Sequence, residues 1–190
     1  MQTRTLLVFV QRGTPLSRRD SLMAAHEQTR DVPYRPDDMF ALVAGVDRYP
    51  EFLPWCNGAR IRRRDKQGEN EVLVADLIVS YKVFREQFTS RVTLNPAERR
   101  IDVAYVQGPF KYLHNNWHFE ALPGGGTRIH FFIDFEFRSA TLEKMIGAVF
   151  SRAFAKMMQA FIDRAEALYE VDPAISPASA SMATSSVASD

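Results

Sequence analysis

Thr127-Arg128-Ile129-His130-Phe131-Phe132-Ile133-Asp134-Phe135-Glu136-Phe137 is the stretch that decides the fold. Its odd positions from 129 are Ile129, Phe131, Ile133, Phe135 and Phe137, and between them stand His130, Phe132, Asp134 and Glu136. Side chains alternate across a strand, so this pattern predicts a strand with one almost purely apolar face. Residues 140–169 follow at once, with Met145, Ile146, Val149, Phe150, Phe154, Met157, Met158, Phe161 and Leu168 at helical spacing. That stripe predicts one long amphipathic helix, which is the cover an apolar sheet face needs. A cover this rich in Phe and Met can close over a solid core or over an adjustable apolar cavity.

Working outward, the pattern predicts a first strand over residues 26–34, broken by Pro33 and Pro36. Asp37 or Asp38 is placed to cap a helix carrying Met39, Phe40, Leu42, Val43 and Val46. A short helical turn over 49–53 lies between Pro50 and Pro54. Strand-like runs then occupy 59–64, 71–83, 84–94, 100–107 and 112–122. The turns between them are short, at 66–68, at Gly108-Pro109 and at Pro123-Gly124-Gly125-Gly126. Parallel pairs need longer crossovers, so the sheet is expected to be an antiparallel meander. The expected class is α+β: a curved antiparallel sheet wrapped around a long C-terminal helix, over residues 23–170. Residues 1–22 read as a flexible or targeting-like leader. Residues 171–190, rich in Ala, Ser and Pro without periodicity, read as a disordered tail.

A chain of 190 residues, 46% hydrophobic and 12% aromatic, can bury one sizeable core. Its net charge of +1 supplies no global field for nucleic acid or an acidic membrane. Arg60, Arg62, Arg63, Arg64 and Lys66 cluster locally, a pattern expected of a solvated strand end. Cys56 is the one cysteine, which excludes an intrachain disulfide and a cysteine-based metal cluster. No run of 18 apolar residues exists to span a bilayer as a helix.

Candidate catalytic groups fail on geometry. His114 and His118 stand four apart in a strand-like run, roughly 13 Å from one another, too far to share an ion. Asp134 and Glu136 lie opposite the apolar face, where a solvated partner for Arg or Lys is expected. Cys56 has no histidine in sequence context, and no Lys-Ser/Thr pair follows the Gly124–Gly126 triplet to make a phosphate loop. The sequence therefore predicts no enzyme, no metal and no specific nucleic-acid motif. Parity instead gathers an apolar lining. Leu113, Trp117 and Phe119 share one strand face, Ile101, Val103 and Tyr105 another, and Phe84, Phe88 and Val92 a third.

The motifs Tyr49-Pro50-Glu51-Phe52-Leu53-Pro54-Trp55-Cys56, Phe84-Arg85-Glu86, Gly108-Pro109-Phe110-Lys111-Tyr112-Leu113 and Trp117-His118-Phe119 carry a resemblance. Over residues 25–169 the chain resembles the coenzyme-Q-binding START-domain family of the polyketide cyclase/dehydrase-like lipid-transport superfamily. It is also similar to the bacterial ribosome-association toxin family. The first resemblance implies a helix-grip fold around a hydrophobic tunnel. It further implies non-enzymatic binding of ubiquinone or a related polyprenyl lipid, supporting respiratory electron transfer and quinone delivery. No other cofactor is required. The second implies a protein that binds the large ribosomal subunit and blocks subunit joining. The implied location is cytoplasmic, peripheral at the inner membrane, for a bacterial source, and the matrix side of the mitochondrial inner membrane for a eukaryotic one. The implied tunnel, joined to parity and helical spacing, makes the candidate ligand-binding residues Phe40, Val43, Phe52, Leu53, Trp55, Phe84, Phe88, Val103, Phe110, Leu113, Trp117, Phe119, Phe131, Ile133, Phe135, Val149, Phe154, Met157 and Phe161. Among them Phe52, Leu53, Trp55 and Phe110 are expected to form an apolar rim at the mouth that also touches the bilayer.

Overall fold

A computed structural model describes residues 24–81, 84–147 and 150–175. The elements run β1 (Ala24–Val32), α1 (Pro36–Ala44), a 3-10 turn (Val46–Glu51), β2 (Cys56–Gln67), β3 (Asn70–Tyr81), β4 (Phe84–Asn95), β5 (Arg100–Gln107), β6 (Phe110–Ala121), β7 (Thr127–Phe137), α2 (Ala140–Gly147) and α3 (Phe150–Leu168). The seven strands form one antiparallel sheet in the order β1-β7-β6-β5-β4-β3-β2. β2 to β7 are the expected meander, and β1 closes onto β7 from the far end of the chain, pairing His26 with Ile133. The expected α+β helix-grip architecture is the one observed.

Local chemistry explains the elements. In β7, Ile129, Phe131, Phe135 and Phe137 are buried, as alternation requires. α3 buries Phe154, Met158, Phe161 and Ala165 at helical spacing against this face. α1 begins with Pro36, whose fixed φ suits a first helical position. Asp37 and Asp38 therefore lie in the first turn, where they complement the helix dipole, and neither caps the helix. Gly108 has φ 138° because the β5–β6 turn passes so close to β4 that a Cβ would sit 2.6 Å from Cβ of Phe88. Tyr105 clamps the same turn by donating its hydroxyl to the Gly108 carbonyl at 2.6 Å.

The expected C-terminal helix is described over Ala140–Gly147 and Phe150–Leu168. Three details differ from expectation. β2 extends well past 59–64, because its arginines and lysine lie on an edge strand, where charge guards against further pairing. Its basic cluster is partly tied down: Arg62 meets Asp76 at 2.5 Å and Arg64 meets Glu71 at 2.9 Å. Chain contact also continues past residue 170. Asp172 donates its N–H to the Pro33 carbonyl and accepts from the N–H groups of Gly126 and Ala174. Those two donors hold its carboxyl below the usual range. The leader at 1–22 and positions 176–190 of the tail lie outside the described residues.

Candidate functional site

Between the concave sheet face and α3 lie two adjoining chambers of about 290 Å³ and 260 Å³. Trp55, Val79, Phe88, Leu113, Ile133, Phe150 and Ala153 belong to the walls of both, which makes the pair one bent cavity. The larger chamber also takes Val43, Leu53, Leu77, Val92, Ile101, Val103, Trp117, Phe131, Phe154, Met157 and Phe161. The smaller adds Phe110, Phe135, Phe137, Leu142 and Ile146, so α2 closes that end. Such a wall receives apolar matter and offers little to a charged ligand.

Each element places its share by parity. β4 turns Phe88, Ser90 and Val92 inward, β6 turns Leu113 and Trp117, and β7 turns Phe131, Ile133 and Phe135. The few polar groups in the larger chamber are mostly engaged with the protein. Tyr49 donates its hydroxyl to the Val43 carbonyl at 2.5 Å, and burial pushes that phenol far above its usual range. Asn115 accepts from Trp117 Nε1 at 2.9 Å and donates to the Phe132 carbonyl at 2.8 Å. The Cys56 thiol is buried, and burial pushes its pKa up, the opposite of what a nucleophile requires. Ser90 is 1% exposed, and its hydroxyl has no hydrogen-bond partner among the described residues.

Trp55 sits where the chambers meet, with φ 68°, an unusual backbone for a bulky residue. Its carbonyl accepts the Ser80 N–H at 2.8 Å, and its ring stands edge-on to Tyr81 at 5.6 Å. These contacts hold the Trp55 backbone in a conformation that costs free energy for a residue with a Cβ.

The cavity brings together most of the residues expected from sequence. Val43, Leu53, Trp55, Phe88, Val103, Phe110, Leu113, Trp117, Phe131, Ile133, Phe135, Phe154, Met157 and Phe161 line one chamber or both. Phe40 and Phe119 do not: they meet edge to face at 6.2 Å in the packed core behind the wall. Phe52 is also absent from the lining, being held between Tyr49 and Phe161 with the Arg164 guanidinium 5.5 Å above its ring. The expected rim is corrected accordingly. Phe110 is 8% exposed and stacks on Phe137 at 4.7 Å, so it is interior wall and not bilayer contact, while Leu53 and Trp55 are half-buried. Val149 lies outside the described residues, as does the side chain of Phe84.

Sequence reasoning missed Leu77, Val79, Phe150 and Ala153 as lining residues. β3 is apolar on both faces near Leu77, Ile78 and Val79, so its parity is ambiguous. Register resolves it, because Leu77 stands opposite Phe88. Away from the cavity, His114, His118, Asp134 and Glu136 lie on the other sheet face. There Tyr112 donates to Asp134 at 3.1 Å, Lys111 pairs with Glu136, and His118 stacks on His130 at 5.5 Å. Among the described residues no group of three or more His, Cys, Asp and Glu could hold a metal ion, and no helix is long and apolar enough to cross a membrane.

Residues 32–162 match a family described as polyketide cyclase/dehydrase and lipid transport. The ribosome association toxin RatA of Rickettsia prowazekii is 36% identical over 148 residues, covering 76% of this chain and 97% of that protein. A mitochondrial coenzyme Q-binding protein of Schizosaccharomyces pombe is 26% identical over 152 residues, covering 79% and 92%. The solution structure of an 18 kDa protein from Caulobacter crescentus superposes with a TM-score of 0.65 at 40% identity, covering 76% and 97%. A START superfamily protein from Mycobacterium smegmatis shares the fold, with a TM-score of 0.64 at 20% identity, covering 76% and 99%.

Proposed function

The chain belongs to the polyketide cyclase/dehydrase and lipid-transport family, and on that premise we propose that it is a non-enzymatic binding protein for a polyprenyl quinone or related lipid. The observation that carries this reading is the bent apolar cavity, whose walls are almost wholly aliphatic and aromatic. Burial of apolar surface contributes roughly 25 cal/mol per Å², so an isoprenoid chain needs no charged anchor there. The similarity to a coenzyme Q-binding protein supports ubiquinone as the ligand. On this reading its role is delivery or presentation of the quinone at a membrane in support of electron transfer. The family also contains cyclases, but the acidic pair Asp134 and Glu136 faces away from the cavity, and Glu86 stands on the smaller chamber's wall without a second carboxylate to share acid and base roles, which supports binding over catalysis.

A second reading, association with the large ribosomal subunit, is favoured by one observation. The RatA relative is more similar to this chain, at 36%, than the coenzyme Q-binding protein, at 26%. Organic extraction of the purified protein with mass spectrometry, run beside ribosome co-sedimentation, separates the two. A polyprenyl quinone in the extract supports lipid binding. Ribosome co-sedimentation by protein with an empty extract supports the second reading and counts against the first.

A further inference from the structure

The polar residues on the cavity wall are few, Tyr49, Cys56, Ser90 and Asn115 in the larger chamber and Tyr81 and Glu86 in the smaller, and at Ser90 the protein leaves one of them chemically unfinished. Ser90 lies on the inward row of β4 between Phe88 and Val92, 1% exposed, and its Oγ has no hydrogen-bond partner among the described residues. A buried hydroxyl without a partner costs free energy, and an alanine there would avoid that cost. The neighbouring polar groups do not serve it. Tyr49 is committed to the Val43 carbonyl, and Asn115 holds Trp117 and the Phe132 carbonyl. Thr89, next in sequence, points to the other sheet face and donates to Asp76 at 2.7 Å. The other buried side-chain atoms without partners, Nε2 of His26 and Nε of Arg164, belong to residues outside both chamber walls.

We infer that Ser90 is the polar anchor of the cavity, hydrogen-bonding a single oxygen at one end of an otherwise apolar ligand. The inference rests on the lipid-binding reading and adds an orientation to it. Ser90 lines only the larger chamber, and Leu142 and Ile146 line only the smaller. The oxygen-bearing end therefore seats in the larger chamber, and the hydrocarbon runs past Trp55 and Phe88 toward α2. A hydroxyl both donates and accepts, so a quinone carbonyl, a ring ether or an alcohol satisfies it. A carboxylate or phosphate meets no cation in this wall and is excluded.

The test compares two probes on delipidated full-length protein: ubiquinone with a two-isoprene tail, and a linear isoprenoid hydrocarbon of matched length without oxygen. Ser90→Ala is expected to weaken quinone binding about three- to tenfold, leave hydrocarbon binding unchanged or tighter, and leave the melting temperature of the apo protein unchanged or higher. Ser90→Thr, which restores a hydroxyl, is expected to recover the preference for quinone and guards against a purely steric effect. Equal quinone affinity in wild type and Ser90→Ala overturns the anchor while leaving the lipid reading intact. So does an equal loss for both probes. Failure of the wild type to bind either probe defeats the lipid reading, and the anchor with it.

Discussion

The two ends of this core are made from the same elements and behave as different materials. At one end Met39, Phe119, Ile129, Met158 and Ala165 are at most 2% exposed and line neither of the two chambers. At the other, Phe88, Val103, Ile133, Phe150 and Met157 are only partly buried and face the cavity. β6 supplies Phe119 to the first end and Leu113 to the second, β7 supplies Ile129 and Ile133, and α3 supplies Met158 and Ala153. Residue type is therefore not what separates them. The difference is in the cover. α1 packs on β5, β6, β7 and α3 over the first end, whereas the second is roofed by residues 53–56, α2 and the start of α3.

If this contrast is right, truncations at the two ends separate in stability. Phe119→Ala leaves a void in the packed end and is expected to cost about 3–5 kcal/mol, seen as a loss of melting temperature of about 10 °C or more. A small loss would mean that the packed end is as loose as the cavity. Phe110 and Leu53, both expected from sequence at the rim, should part company next. Phe110 is enclosed by Phe88, Tyr105, Phe135 and Phe137, so Phe110→Ala is expected to cost about 3 kcal/mol. Leu53→Glu, at a half-buried lining position, should lower lipid binding and move the melting temperature by only a few degrees. Similar thermal losses for the two variants would show that Leu53 is core as well.

Smaller still is the effect expected of Met157→Ala. Its side chain borders the chamber, so the removed atoms had few protein partners, and the apo protein should lose about 1 kcal/mol or less. Phe154, one turn away, lines the same chamber but also meets His26 at 4.2 Å and Phe131 at 4.7 Å. Spacing alone placed these two residues together, and their contacts rank Phe154→Ala above Met157→Ala in thermal cost. Calorimetry of the delipidated variants checks the ranking.

The same contrast marks how far the sequence could be read. Strands with one polar face, such as Thr127–Phe137, announced their parity, and the β2–β7 meander and most of the cavity wall followed from them, whereas the pairing of β1 with β7 has no local signal. β3 did not, because Leu77, Ile78 and Val79 give no alternation, and only pairing with β4 shows which of them face inward. Phe119 and Phe131 share a sheet face, yet Phe119 meets Phe40 of α1 while Phe131 lines the larger chamber, a tertiary fact with no local signal. Ser90 was visible as a polar residue in the apolar row Phe88-Ser90-Val92, yet its lack of a partner emerges only from the packed structure. Docking of Asp172 on the Gly126 turn joins residues 46 apart in sequence and leaves no periodic trace.

The central claim is that the space between sheet and helix is a cavity for an apolar ligand and not a packed core. Ala153 lies on the wall of both chambers, so Ala153→Leu adds bulk at the junction without touching the packed end. In a close-packed interior that change costs about 1–3 kcal/mol through overpacking. The decisive measurement is the melting temperature of delipidated Ala153→Leu together with its affinity for ubiquinone bearing a two-isoprene tail. The account predicts a melting temperature equal to or above that of the wild type and an affinity at least tenfold weaker. A clear fall in melting temperature with quinone affinity preserved would contradict it.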